Sequence, residues 1–294
     1  MFATRTKYGA GNRHQKRGEL SSIEEATNLE AKSSLASGQF TYFDFACNNE
    51  GEKEWLNARK KYISATQTYF AICNFCEDDK IKNKYISALD DKYKQSMYSF
   101  YWQKHFTQKQ QEKYDKLFKI KKPKAYQAQE FGKKYECDVA TGGMSKLRQM
   151  EEFVNAKLTP NGRRIYYLDD CSATPDYIIT LPNKEQVLLE CKTSKPLNDE
   201  DKRKVISRYS LQVNTQMLCT GIKRAYIAFA TKDKKGEKIV DIENIPVKCG
   251  EKLQQQILIA SKKCREWLDN CNANELKPDI NNVDDMMVAY AIDK

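Results

Sequence analysis

The stretch from residue 174 to residue 193 constrains the fold more than any other part of the chain. It begins Thr174-Pro175-Asp176-Tyr177 and closes on Glu190-Cys191-Lys192-Thr193. Residues 174–180 and 186–193 are rich in β-branched and large apolar side chains, and Pro182-Asn183-Lys184 between them is a turn signal, so two strands joined by a turn are expected. Side chains alternate along a strand, which points Glu190 and Lys192 one way and Cys191 the other. Asp176 falls on the neighbouring strand, within cross-strand reach. Two carboxylates and an ammonium are therefore gathered on otherwise apolar strands. Carboxylates about 4 Å apart repel by roughly 1 kcal/mol in water and about 4 kcal/mol near a protein surface. A divalent cation converts that repulsion into binding, and hard oxygen ligands suit Mg²⁺ or Mn²⁺. A lysine beside such an ion can orient a water for attack on a phosphodiester. The plainer alternative is a turn-capping Asp176 and a solvated Glu190–Lys192 pair on an edge strand.

Composition narrows the choices. A chain of 294 residues can bury one sizeable core and still carry an arm or inserted helices. Lys and Arg total 50 against 40 acidic residues, a net charge of +10, which favours a polyanionic partner. The only histidines are His14 and His105, and neither neighbours a plausible nucleophile, which argues against Ser-His-Asp hydrolysis and His-ligated zinc catalysis. Ten cysteines are scattered without a dense framework and no long apolar run occurs, so reduced thiols in an intracellular compartment (cytoplasm or nucleus) and no membrane span are expected. Cys73-Asn74-Phe75-Cys76 is the one CxxC, and its companions for an iron–sulfur cluster would be Cys249, Cys264 or Cys271, at irregular spacing. Ordinary buried cysteines are the expectation.

Along the chain, residues 1–50 read as a basic arm, with Arg5, Lys7, Arg13, Lys16 and Arg17 preceding the first acid and a modest helix over 22–35. Helical spacing of Trp55, Ala58, Tyr62, Ile63 and Phe70 predicts one helix from 52 to about 73. Arg59 emerges there beside apolar residues with Ser64 and Thr66 nearby, either as a phosphate-oxygen binder or as a snorkelling surface arginine. Residues 78–124 read as a charged helical insertion; from 103 to 124 it holds eight lysines against Glu112 and Asp115, with aromatic residues interleaved. Ala128, Phe131, Tyr135 and Val139 form the stripe of a helix that places Gly132 and Glu136 on the adjacent face. Gly142-Gly143 is expected to end or kink it, with a second helix over 144–158. A strand over 164–168 leads into the hairpin. Pro196 breaks the chain beyond it, and Asn198 or Asp199 caps a helix running to Thr220, with Gly221 as its stop. Tyr209, Gln212 and Gln216 share one face of that helix. Strands over 224–231 and 238–242, a helix over 251–269 and a polar tail (273–294) complete an α/β or α+β order, a mixed central β-sheet flanked by helices.

Three segments together resemble the λ-exonuclease and YqaJ-type viral recombinase branch of the PD-(D/E)XK nucleases. Trp55, Arg59, Ile63, Ser64, Ala65 and Thr66 match W-x3-R-x3-I-[ST]-A-[ST]. Gly132, Tyr135, Glu136, Asp138 and Val139 match G-x-x-Y-E-x-[DE]-[AV]. Thr174, Pro175, Asp176, Glu190 and Lys192 match [ST]-P-D…E-x-K, and Tyr209, Gln212, Val213, Gln216 and Met217 match the helix that follows it. The likeness runs from about residue 52 to 231, within a nuclease domain spanning 51–272. It implies a restriction-endonuclease-like core and a Mg²⁺- or Mn²⁺-dependent DNA exonuclease, 5′→3′ on duplex ends, using two ions. Asp176, Glu190 and the Cys191 carbonyl would hold one ion, Asp176 and Glu136 the second, and Lys192 would position the attacking water. Arg59, Thr66, Thr174 and Gln212 would form a 5′-phosphate pocket, with Tyr209 and Gln216 alongside as DNA contacts. Relatives of this kind make 3′ overhangs for recombination, often as a ring-shaped homotrimer with a single-strand annealing protein. A structure-specific endonuclease, an RNA-degrading nuclease of the same fold and a non-catalytic DNA-end-binding module are the alternatives. The family's usual Gly after Pro-Asp is Tyr177 here, and its Leu-Gly after the pocket Arg is Lys60-Lys61.

Overall fold

A computed structural model of the chain describes residues 41–46, 48–59, 61–86, 124–233, 235 and 237–273. The arm before residue 41, the helix expected over 22–35, His14 and His105, the insertion from 87 to 123 and the polar tail lie outside the described residues. At the centre is the expected hairpin, β6 (Tyr177–Thr180) and β7 (Gln186–Ser194), paired antiparallel with Tyr177 opposite Leu189. Its turn is closed by Leu181 N–H to the Glu185 carbonyl (2.9 Å), and Lys184 takes the left-handed φ of 70°. β3 (Lys157–Pro160) flanks β6, while β8 (Arg224–Lys232) runs parallel to β7 and antiparallel to β9 (Ile239–Val247). The resulting five-stranded order is β3-β6-β7-β8-β9.

Both faces of this sheet are covered. Val187 and Leu189 of β7 and Ala228 and Ala230 of β8 meet Val139, Ala140 and Met144 of the helix α4 (Lys124–Leu147). On the other face Leu188, Ile227 and Phe229 meet Val213 and Met217 of α5 (Asp199–Thr220). α5 is bounded as the sequence predicts: Asn198 accepts from Asp201 N–H, and Gly221 closes the helix at φ 69°.

A smaller sheet, in the order β1-β4-β5-β2, supports the opposite end of the hairpin's approach. It combines β1 (Thr41–Asp44), β2 (Ile63–Ser64), β4 (Arg164–Leu168) and β5 (Cys171–Ala173). A third cluster, including Ile63, Tyr69, Ile72, Leu211, Ile257 and Cys264, joins it to α2 (Thr68–Phe75), α5 and α6 (Glu251–Ala273).

Four local expectations are corrected. Residues 52–73 are not one helix: α1 (Asn49–Arg59) ends, β2 pairs with β5, and α2 restarts, because Ile63 N–H and Ala65 N–H bond to the carbonyls of Asp170 and Ser172 instead of to carbonyls one helical turn back. Residues 41–50, read as part of the arm, supply β1, which pairs with β4, and the start of α1. The helix expected over 144–158 is the end of α4, a 3-10 turn at Glu151–Phe153 and then β3. Finally, α4 runs straight through Gly142-Gly143. A Cβ at Gly143 would lie 2.9 Å from the Ala228 Cβ and 3.0 Å from Asn244 Oδ1, so the glycines let the helix lie directly on β8 and β9. Asn244 Nδ2 donates to the Gly143 carbonyl at 2.8 Å across the same contact. Close packing has overridden a helix penalty of about 1 kcal/mol per glycine. Gly143→Ala, although a better helix former, is therefore expected to destabilise the protein by roughly 1–3 kcal/mol, read as a lower urea midpoint at unchanged slope. An equal or higher midpoint would overturn this account of the glycines.

Between α2, α3 (Asp79–Ile86) and α6 the CxxC cysteines are core residues. Burial pushes the Cys73 thiol up to about 12, and Cys76 Sγ donates to the Asp78 carbonyl and to Gln256 Oε1. Cys264 shares that core, whereas Cys249 borders the separate cluster under α5. No helix among the described residues is long and apolar enough to cross a membrane.

Candidate active site

One residue before β6, Asp176 continues the hairpin register and stands opposite Glu190. The Cys191 N–H donates to Asp176 Oδ2 at 2.8 Å, which fixes the carboxylate beside β7. Glu190 is 1% exposed, so its charge has to be met inside the protein. Three donors meet it. Lys192 Nζ pairs with Oε1, Gln212 Nε2 donates to the same oxygen at 2.5 Å, and Gln216 Nε2 donates to Oε2 at 2.7 Å. The two glutamines stand one turn apart on α5, so a single helix face cradles both carboxylate oxygens. The Lys192 ammonium also lies 5.1 Å from the Tyr209 ring centroid. Tyr209 thus holds the lysine and does not line the hollow described below.

Glu136 reaches the cluster from α4. Its carboxyl is raised by burial and by the charge of Glu190. The Asp176 carboxyl is raised well above the usual range, first by burial, then by Glu190, with Glu136 adding to it and Lys192 opposing. For Lys192 burial pulls the amine down, but Glu190 and Asp176 outweigh it and the net shift is upward. Three carboxylates therefore repel one another, with Lys192 among them and Lys133 acting on Glu136 alone. The Cys191 thiol is raised by burial and then by Asp176, so the sulfur stays protonated and is no nucleophile. Tyr177, the departure from the family pattern, packs into the core beneath α4, 8% exposed, and its hydroxyl is raised by burial and then by the neighbouring Glu136.

The fit to a divalent cation follows from this charge balance. Hard carboxylate oxygens in mutual repulsion are the donors Mg²⁺ and Mn²⁺ take. Among the described residues no group of three or more His, Cys, Asp or Glu side chains is placed to hold a metal ion. A small cation of this kind, however, binds through one or two carboxylates and fills its shell with water and phosphate oxygens.

Beside the cluster is a small open hollow, with a cavity volume of about 20 Å³. Its lining is Arg59, Ser64, Ala65, Thr66, Ser172, Ala173, Thr174, Gln212 and Gln216. Parallel pairing of β2 with β5 sets Ser64 against Ser172, so the hydroxyl-bearing segment after α1 runs alongside the segment that leads into Asp176. Ser64 Oγ and Thr66 Oγ1 are 3.1 Å apart. Arg59 at the end of α1 lies over the Trp55 ring, 4.5 Å from its centroid. Its guanidinium is pulled down by burial alone, and among the described residues no carboxylate pairs with it. Gln216 Oε1, turned away from Glu190, is buried without a partner.

The structure thus brings Arg59, Thr66, Thr174, Gln212 and Gln216 around one hollow, and Asp176, Glu190, Lys192 and Glu136 into one electrostatic cluster beside it. Ser172 and Ala173 escaped the sequence reading. Their strand β5 has three residues, too short for an alternation pattern, and the Ser-Ala pair ahead of Thr174 is the only trace of it.

A family model of the YqaJ-like viral recombinase domain matches residues 54–223. The chain belongs to that family. No curated protein matches the YqaJ-like chain by sequence. Among solved structures, a phage-related exonuclease from Haemophilus somnus 129PT is 13% identical, with 73% of this chain and 96% of that one covered and a TM-score of 0.48. An alkaline exonuclease from Laribacter hongkongensis is 14% identical, covering 76% of this chain and 98% of its own at a TM-score of 0.40. The matched segment of the YqaJ-like domain holds both the hollow and the carboxylate cluster.

Proposed function

We propose that the chain is a divalent-cation-dependent DNA exonuclease that takes hold of a duplex end by its 5′-phosphate and cuts in the 5′→3′ direction, leaving a 3′ overhang for recombination. The observation that carries this reading is adjacency. The hollow around Arg59, which pairs with no carboxylate among the described residues, and the carboxylate cluster meet at Thr174 and Asp176, two residues apart, and share Gln212 and Gln216. An anion site beside hydrolytic machinery would select an end by its terminal phosphate.

Asp176, Glu190, the Cys191 carbonyl and Glu136 would hold the ions, two per site. Bound there, such ions neutralise charge on the attacked phosphate and lower the pKa of water. Arg59, with the hydroxyls of Ser64, Thr66 and Thr174, binds the terminal phosphate by charge-assisted hydrogen bonds. Lys192, held by Glu190 and Tyr209, positions the attacking water. The water oxygen bonds to phosphorus and the bond from phosphorus to the 3′ oxygen of the terminal nucleotide breaks. One 5′-mononucleotide leaves, and the shortened strand carries a new 5′-phosphate, the group the hollow recognises. Duplex ends are the substrate on this reading. A single-strand annealing protein is the natural recipient of the overhang, and a ring-shaped homotrimer is the assembly the family resemblance implies.

The deciding measurement compares linear duplexes with 5′-phosphate and 5′-hydroxyl ends, and a closed circular duplex, in Mg²⁺. Faster loss of the phosphorylated ends with the circle intact is expected. Equal rates would remove the phosphate role of the hollow, and cutting of the circle would replace the exonuclease by an endonuclease.

A further inference from the structure

On the opposite face of the five-stranded sheet from the Arg59 hollow, a second cation is held without a counter-charge. Lys232, the last residue of β8, is 7% exposed. Its ammonium lies 3.7 Å from the centroid of the Phe131 ring on α4. Among the described residues it makes no ion pair and no hydrogen bond. The β8–β9 register shifts between Thr231 and Lys232, and such irregularities re-aim a side chain at a sheet margin. On the neighbouring strand Ser194 pairs with Thr231, so the exposed Lys195 follows alongside Lys232. Burial, and then Lys195, pull the Lys232 amine down. Two lysines are thus set side by side, one nearly buried, with no acid between them among the described residues. A lysine that serves only as packing would send its ammonium to water or to a carboxylate; this one is flattened on a ring beside another cation.

The placement relative to the carboxylate cluster follows from strand and helix geometry. Phe229 pairs with Lys192, and Lys232 lies three residues further along β8, roughly 10 Å. On α4, Phe131 precedes Glu136 by five residues, roughly 7.5 Å of helix. Both measures set the Lys232–Phe131 pair just beyond the cluster where β7 and β8 end. A rise of about 10 Å corresponds to about three nucleotides of B-form duplex.

We propose that Lys232, with Lys195 beside it, is a second phosphate contact, which holds a backbone phosphodiester of duplex DNA ahead of the cut while the Arg59 hollow holds the terminal phosphate behind it. The inference rests on the nuclease reading for its direction along the strand, but not for the contact itself. A DNA strand would then be gripped on both sides of the scissile bond. Lys232 acts by positioning, so its loss raises KM and leaves preference for a 5′-phosphate unchanged.

The test is metal-free binding of a fluorescent linear duplex in EDTA, followed by anisotropy from about 50 to 200 mM NaCl, for the full chain and for Lys232→Met, Lys232→Arg and Lys195→Met. One phosphate contact contributes about 0.9 to the slope of log affinity against log salt. Lys232→Met is expected to flatten the slope by about that amount and to weaken binding several-fold at the lower salt. Lys232→Arg should restore both. Lys195→Met should weaken binding in the same direction, and an unchanged Tm establishes that each variant is folded. Should Lys232→Met unfold, the slope change in Lys195→Met decides alone. An unchanged slope in folded variants overturns the proposal while leaving the nuclease reading in place. A flattened slope in a protein that cuts no DNA sustains the contact and removes the nuclease.

Discussion

Asp176→Asn is expected to lower cleavage of linear duplex by on the order of 10³-fold and, in the same protein stripped of metal, to raise the melting temperature. The first effect follows from the proposed function, in which Asp176 would be a charged cation ligand at the point where negative charge develops. The second follows from the raised Asp176 carboxyl, which burial and Glu190 hold well above its ordinary range. A carboxyl whose folded pKa exceeds its unfolded value binds its proton more tightly in the folded state. Its contribution to stability is therefore present at low pH and is lost as pH rises through the folded pKa. At neutral pH and above, forcing its ionisation beside Glu190 and Glu136 costs stability, and Asn removes that cost while keeping an oxygen for the Cys191 N–H. Relief of about 1 kcal/mol corresponds to a rise of roughly 2–4 °C in a domain of this size. Metal-free wild type should likewise melt higher at mildly acidic pH than at pH 8, and the gap should narrow in Asp176→Asn. Calorimetry with EDTA reads both. A variant that loses activity and also melts several degrees lower would mean that Asp176 is structural and the repulsion unimportant.

The second large effect concerns Arg59. Arg59→Ala should slow degradation of 5′-phosphorylated duplex by about 10- to 100-fold, the equivalent of one charge-assisted hydrogen bond at about 1.5–3 kcal/mol. On 5′-hydroxyl duplex its rate should match wild type within a few-fold, because that substrate brings no charge to the hollow. Arg59→Lys should recover only part of the loss, since an ammonium is a point charge without the two-pronged geometry of guanidinium. Little stability is at stake: the guanidinium lies over Trp55 with no carboxylate partner among the described residues. Single-turnover rates on the paired substrates make the comparison. Equal slowing on both ends would assign Arg59 to general DNA binding instead of end selection.

The hairpin and the carboxylate cluster were legible because a strand alternates strictly: once residues 186–193 are read as a strand, Glu190 and Lys192 must share a face. The α5 helix was equally legible, since Asn198 and Gly221 are chemically explicit boundaries and Gln212 and Gln216 fall on one face at helical spacing. Tertiary competition was what the sequence concealed. The apolar spacing from Trp55 to Phe70 is helical, yet Ile63 and Ser64 find better partners in β5, and a two-residue strand leaves no periodic trace. Gly142 and Gly143 look like a helix end because their cost is local, whereas the contact with Ala228 and Asn244 that offsets it comes from residues about a hundred positions away. Tyr177, which departs from the family pattern, fills core under α4 with its hydroxyl beside Glu136, a placement no local pattern signals.

Glu190 spends both of its oxygens on amides that also border the hollow. On the proposed function, end recognition and cation binding would therefore draw on one shared supply of hydrogen-bond donors. Were a terminal phosphate to recruit the Gln212 amide, Glu190 Oε1 would keep one partner fewer and become the better ligand. Thermodynamic reciprocity then requires the cation to tighten the grip on the phosphate by the same factor. The expected signature is equal enhancement in two titrations, cation against a 5′-phosphorylated end and end against cation. The enzyme would in that sense be charged with metal most firmly when it already holds something to cut.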